Sequence, residues 1–140
     1  MIFHSLADAV AAVAAADGRP LILLSARGAA GYAGPDFLKA ITDNASAGAG
    51  HVEAAIDCGP DAGVAMAALR GGWKHLIFRG DDRVRTKLAD MAAQMDAKLD
   101  DTAPDALDLL DAADPHGACA DWFASPVGEL STRPVAAPPG

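Results

Sequence analysis

Five side chains gather most of the chemistry this sequence offers: Arg27, Asp57, Cys58, His75 and Arg79. Glu53 and Asp57 are four apart, His75 and Arg79 are four apart, and each acid precedes its base by the same interval. On a strand, residues four apart share a face. Neighbouring strands in the matching register therefore set Glu53 beside His75 and Asp57 beside Arg79. A pair of the second kind at the mouth of a sheet either neutralises two charges near a buried layer or aims a guanidinium at a bound carboxylate or phosphate.

Arg27 opens a glycine-rich run in which Gly28, Gly31 and Gly34 recur every third residue. The run is neither a dinucleotide fingerprint nor a P-loop, because no Gly-Lys-Ser/Thr follows. Its glycines let backbone amides approach an anion, and Arg27 adds charge; the competing reading is a tightly turned loop. Arg27, Gly28, Gly31, Gly34, Asp57 and Arg79 thus form the candidate anion site. Cys58 stands just before Gly59-Pro60, where a helix N-terminus favours a thiolate while Asp57 opposes it. It is the candidate reactive thiol, against the reading of a small buried cysteine. His116 and Cys119 have a zinc-like gap without the second half of a zinc site. Asp81-Asp82 and Asp100-Asp101 lack the spaced acids and glycine of a calcium loop. His4, His51, His75 and His116 have no nucleophile partner in sequence, so neither catalytic residues, a metal nor a cofactor is assigned.

The elements that must position these groups repeat. Ser5 and Asp8 have capping-box spacing ahead of a helix with Leu6, Val10 and Val13 at helical intervals, stopped by Gly18. Residues 20–26, 51–57 and 74–79 read as strands, the first a continuous apolar run suited to burial on both faces. Helices follow each strand: Phe37, Leu38, Ile41 and Ala45 mark the first, Val64 to Leu69 the second, and Val84, Leu88, Met91, Met95 and Leu99 the third. Gly34-Pro35-Asp36, Gly59-Pro60-Asp61 and Gly80-Asp81-Asp82 start these helices with turn, first-turn and dipole-complementing residues. The expected fold is α/β, a small three-stranded parallel sheet with crossover helices. Such repeated units build both (βα) barrels and doubly wound sheets, and in either the site lies at the carboxyl ends of the strands.

Residues 1–100 read as this domain, and 101–140 as an acidic appendage. Asp105, Asp108, Asp111 and Asp114 advance by three, which predicts a short helix over 105–113 followed by an extended, proline-rich tail from Pro115. Leu107, Leu110, Trp122 and Phe123 are its apolar anchors, either docking on a partner's groove or folding back to cover the sheet.

Composition narrows the function. Hydrophobic residues make up 51% but aromatics only 5%, so the core is built from small and aliphatic side chains. With 19 acids against 11 bases and a net charge of −8, nucleic acid and anionic membranes are excluded as expected partners, since both need a concentrated basic face. Cys58 and Cys119 do not make a disulfide framework. No charged n-region precedes the first apolar residues, and no apolar run reaches membrane-spanning length, so the expectation is a cytoplasmic protein. Two functions follow. One is a non-catalytic protein acting by association, through an edge-to-edge or face-to-face homodimer of the open sheet or a protein partner held by the acidic tail. The other is a binder or enzyme for a small phosphate- or carboxylate-bearing metabolite at the strand ends.

Overall fold

The structure is a computed structural model that describes residues 1–47 and 49–125. Its elements alternate: β1 (Ile2–Phe3), α1 (Leu6–Ala16), β2 (Leu21–Ser25), α2 (Ala29–Ala33), α3 (Pro35–Ala45), β3 (Val52–Asp57), α4 (Ala62–Arg70), β4 (His75–Ile77), α5 (Asp82–Gln94), β5 (Lys98–Asp100) and α6 (Pro115–Ala124). The sheet has five parallel strands in the order β1-β2-β3-β4-β5, so α/β with a parallel sheet holds and the expected count of three strands is corrected. The strands missed, β1 and β5, are two and three residues long and stand first and last in the strand order. Two or three residues carry no readable alternation, and β1 and β5 owe their geometry to the neighbours they pair with.

Sequential strand order has a consequence for layering. Right-handed crossovers between neighbours that never reverse direction across the sheet carry every helix to one side. The packing agrees: buried residues from all six helices join one cluster with Phe3, Leu21, Leu23, Ile56 and Leu76. The opposite face of the strands presents Leu24, Ala55 and Ile77, covered by Ala103 and Ala106 and, among the described residues, by no helix. This is the layering of a (βα) barrel rather than of a doubly wound sheet, which has helices on both faces.

The chain supplies its own cover for that face. From β5 it runs back across the sheet and rises beside β1, where Ile2 N–H donates to Leu107 O at 2.7 Å and Leu109 N–H donates to Ile2 O at 3.0 Å, a parallel bridge centred on Ile2 and Asp108. No helix forms over 105–113. Pairing to β1 and burial of Leu109 stabilise an extended strap, outweighing the weak helical preference of an aspartate-rich stretch. Pro115–Ala124 form a helix where an extended segment was expected, because Asp114 caps α6 by accepting from Gly117 N–H at 3.1 Å and Pro115 occupies its first turn. Within 101–125, Cys119 and Phe123 are buried in the helix-side cluster, where α6 packs on α1. The remainder of the expected tail, 126–140, lies outside the described residues.

Local chemistry explains most boundaries. Ser5 caps α1 through Asp8 N–H, Asp61 caps α4 through Val64 N–H, and Asp81 caps α5 through Arg83 and Val84 N–H. Helix α5 stops at Gln94, short of the expected Leu99, because Asp96 turns the chain with φ of 54° and Lys98 enters the sheet. Helix α1 also faces the core differently from expectation. Ala9, Ala12 and Ala16 are buried, while Leu6 and Val10 are exposed, since alanines let α1 sit close to both the sheet and α6. Phe37 on α3 is likewise exposed, with Leu38 and Ile41 turned inward.

Candidate functional site at the strand ends

The helix-free face is layered. Glu53, His75 and Lys98 lie toward the amino ends of β3, β4 and β5, the apolar layer follows, and Asp57, Asp100 and, just past β4, Arg79 stand at the carboxyl ends. Both expected acid–base contacts form: His75 Nδ1 is 3.1 Å from Glu53 Oε1, and Arg79 NH1 donates to Asp57 Oδ1 at 2.7 Å. The register that produces them is not the one expected. β3 and β4 pair Ile56 with Leu76 and Asp57 with Ile77, an offset of 20 rather than 22, so each base reaches its acid diagonally, from two residues further along β4.

The two contacts differ in kind. His75 is buried at 3% exposure, with Nε2 at 2.8 Å from Asp100 Oδ2 and Nδ1 within hydrogen-bond reach of Glu53 but off its axis. Lys98 Nζ lies 3.7 Å from the same Glu53 oxygen. Glu53's carboxyl is held below its ordinary value, first by the His75 contact and then, against the opposing effect of burial, by Lys98. A carboxylate therefore stands near each ring nitrogen of His75, Glu53 from β3 and Asp100 from the end of β5. Asp100 and Lys98 were not legible as its partners, because β5 itself was not.

At the other end, β2, β3 and β4 deliver Ser25, Asp57 and Arg79 side by side. Asp57 is only 4% exposed. Its N–H donates to Ser25 Oγ at 2.9 Å, and its Oδ1 accepts from Gly59 N–H at 3.0 Å as well as from Arg79. Gly59, with φ of 55°, makes the turn that points its own N–H back at Asp57. Arg79 is tied further by its N–H, which donates to Gly59 O at 2.8 Å.

Beside this pair opens a cleft of about 390 Å³ lined by Arg27, Gly28, Gly31, Asp57, Cys58, Gly59, Pro60, Asp61 and Val64. Four of the six residues expected in an anion site line it directly, and Arg79 holds one of those four in place. The sixth, Gly34, instead joins α2 to α3 with φ of 88°. The expected glycine loop contains a helical turn, α2, whose buried Ala29 and Ala30 dock it on the core. Arg27 is exposed and has no acid within ion-pair distance among the described residues. Sequence reasoning missed Asp61 and Val64 as lining residues, although Asp61 was visible as a helix start.

Cys58, the candidate reactive thiol, lines the same cleft. Its thiol is buried, and burial first, then Asp57 and Asp61, push its pKa up to about 12, the opposite of nucleophile activation. Cys119 is fully buried with Sγ 3.8 Å from Met1 Sδ, and among the described residues no three potential ligands converge on a metal position. Of the four expected docking anchors, Phe123 is buried and Leu107 and Trp122 pack partly buried on the core, leaving Leu110 exposed. No helix among the described residues is long and apolar enough to cross a membrane. No protein-family model matches the chain, no curated protein is significantly similar to it, and no solved structure matches it. The functional argument therefore rests on the cleft itself.

Proposed function

We propose that the protein binds a small carboxylate- or phosphate-bearing metabolite in the cleft at the carboxyl ends of β2 and β3. The observation that carries this reading is Arg27, an exposed guanidinium lining the cleft with no acid within ion-pair distance among the described residues. A guanidinium of this kind is suited to forked contacts with a planar carboxylate or a phosphate. The position is also the one at which (βα) layering places ligands, with loops varied freely above a rigid sheet. The Asp57–Arg79 pair serves as the fixed floor, and no nucleophile or general base is assigned, so the reading is binding rather than catalysis. A thermal-shift series with phosphate, nucleotides and carboxylate metabolites tests it. A ligand of the native state raises the melting temperature by mass action, and the shift is expected in the wild type and absent in Arg27→Ala. No shift with any anion, or equal shifts in both proteins, would remove the reading.

A second reading, association, is favoured by one observation. Leu6, Val10 and Phe37 are exposed on α1 and α3, and Leu6 and Phe37 border a mainly apolar groove of about 430 Å³ with Ala40 and Ile41. Contiguous exposed apolar surface marks interaction sites, and a second copy of the chain is the occupant proposed here. Sedimentation of wild type and Phe37→Asp tests this: a dimer that the substitution dissociates supports it, and a monomeric wild type at high concentration removes it.

A further inference from the structure

We infer that the strand-end cleft selects a zwitterion, an amino-acid-like molecule whose carboxylate sits on Arg27 and whose protonated amine sits between Asp57 and Asp61. The inference rests on the cleft being a metabolite site, as proposed above, and names the class of metabolite. It starts from the charges in the wall. Arg27 contributes one positive charge, and Asp57 is neutralised by Arg79, 2.7 Å away. Asp61 also lines the cleft, and it has no cationic partner among the described residues. A ligand carrying only negative charge would satisfy Arg27 while facing Asp61 uncompensated. A ligand carrying both charges satisfies both walls.

The acceptor inventory points the same way. Asp57 uses Oδ1 for Gly59 and Arg79, and Asp61 uses Oδ1 to cap α4 through Val64 N–H at 3.1 Å. Neither Oδ2 receives a hydrogen bond among the described residues, so each carboxylate keeps acceptor capacity for the three donors of an ammonium. Both acids line the cleft beside Cys58, whose thiol is pushed up first by burial and then by them. Beside the glycines, Cys58, Pro60 and Val64 supply the apolar side chains of the wall, a surface for a short aliphatic portion. A volume of about 390 Å³ suits a small molecule of this kind.

The test is calorimetric titration of the full chain with a panel of L-amino acids, each matched by the carboxylic acid lacking its amine and the amine lacking its carboxylate. At least one amino acid is expected to bind about tenfold more tightly than either matched compound, the scale of one charge-assisted hydrogen bond. Arg27→Ala is expected to abolish that binding. Asp61→Asn keeps a good helix cap, so α4 persists, and it is expected to weaken the amino acid about tenfold while leaving the matched acid unchanged or tighter. Matched acids that bind as well as amino acids would overturn the zwitterion while leaving the anion site standing. Binding unchanged by Asp61→Asn would overturn the placement of the amine. Binding by no member of the panel, with inorganic phosphate and simple carboxylates also silent, would overturn both readings.

Discussion

Replacing Arg79 with alanine leaves the carboxylate of Asp57 in a place with little access to water. The side chain of Asp57 is 5% exposed and that of Arg79 is 28% exposed, so the pair is buried at one end and partly wet at the other. Breaking a fully buried pair costs about 3–5 kcal/mol and breaking a surface pair costs about 0–1 kcal/mol. The intermediate geometry sets the expected loss at about 2 kcal/mol, much of it the penalty of a stranded charge rather than a missing attraction. In urea, with a slope of about 1.5 kcal/mol/M, the unfolding midpoint of Arg79→Ala should fall by about 1.3 M. The decisive comparison is the double variant. Adding Asp57→Asn removes the stranded charge yet keeps an amide oxygen for Gly59 N–H, so about half of the loss should return. A single variant within about 0.3 M of wild type, or a double variant less stable than the single one, would refute the claim that Asp57 depends on Arg79 for its burial.

Three further outcomes are expected. Leu109→Ala, in the strap across the helix-free face, should lower stability by about 2–4 kcal/mol because Leu109 is buried; a loss below about 1 kcal/mol in chemical denaturation would mean the strap is not part of the core. Glu53's folded pKa lies below its ordinary 4.5, so it contributes stability that is present above 4.5 and lost as pH falls through the lower folded value. Acid unfolding of Glu53→Gln should accordingly be shallower in that window than wild type, with the difference reduced by salt because the carboxylate is about half exposed. Cys58 and Cys119, raised to about 12 and about 11, should label with iodoacetamide at pH 8 only after unfolding, and fast labelling of the native protein would contradict their burial.

What the sequence revealed and what it hid divide along the range of the interactions. The three Gly/Pro–Asp helix starts were readable because their signals are local: Asp61 and Asp81 cap helices within three positions, and Pro35 and Asp36 occupy the first turn of α3. The shared faces of Glu53 with Asp57 and of His75 with Arg79 were readable because alternation is a property of each strand alone. Their register was not, since the offset between β3 and β4 depends on how the connecting helix α4 packs. β1 and β5 stayed hidden because nothing within two or three residues marks a strand, and β5 took Lys98 and Asp100 with it. The face of α1 was misread because exposed Leu6 and Val10 are more apolar than the alanines that pack inward; close approach to the sheet and α6, rather than hydrophobicity, decides there. The period of three in the aspartates of 105–114 suggested a helix, but the hydrogen bonds available from Ile2 lie more than a hundred residues away in sequence.

That last separation bears on the order in which the chain folds. The pairing of β2 with β3 closes a loop of about thirty residues, whereas the pairing of Ile2 with 107–109 closes nearly the whole domain, and long closures are entropically expensive and slow. The β2–β3–β4 units should consolidate first, with substitutions there slowing folding, while Leu109→Ala should act mainly by speeding unfolding. During synthesis the helix-free face, with Leu24, Ala55 and Ile77 on it, stays uncovered until the strap has emerged. The interval before that closure is the one in which this protein is most exposed to self-association.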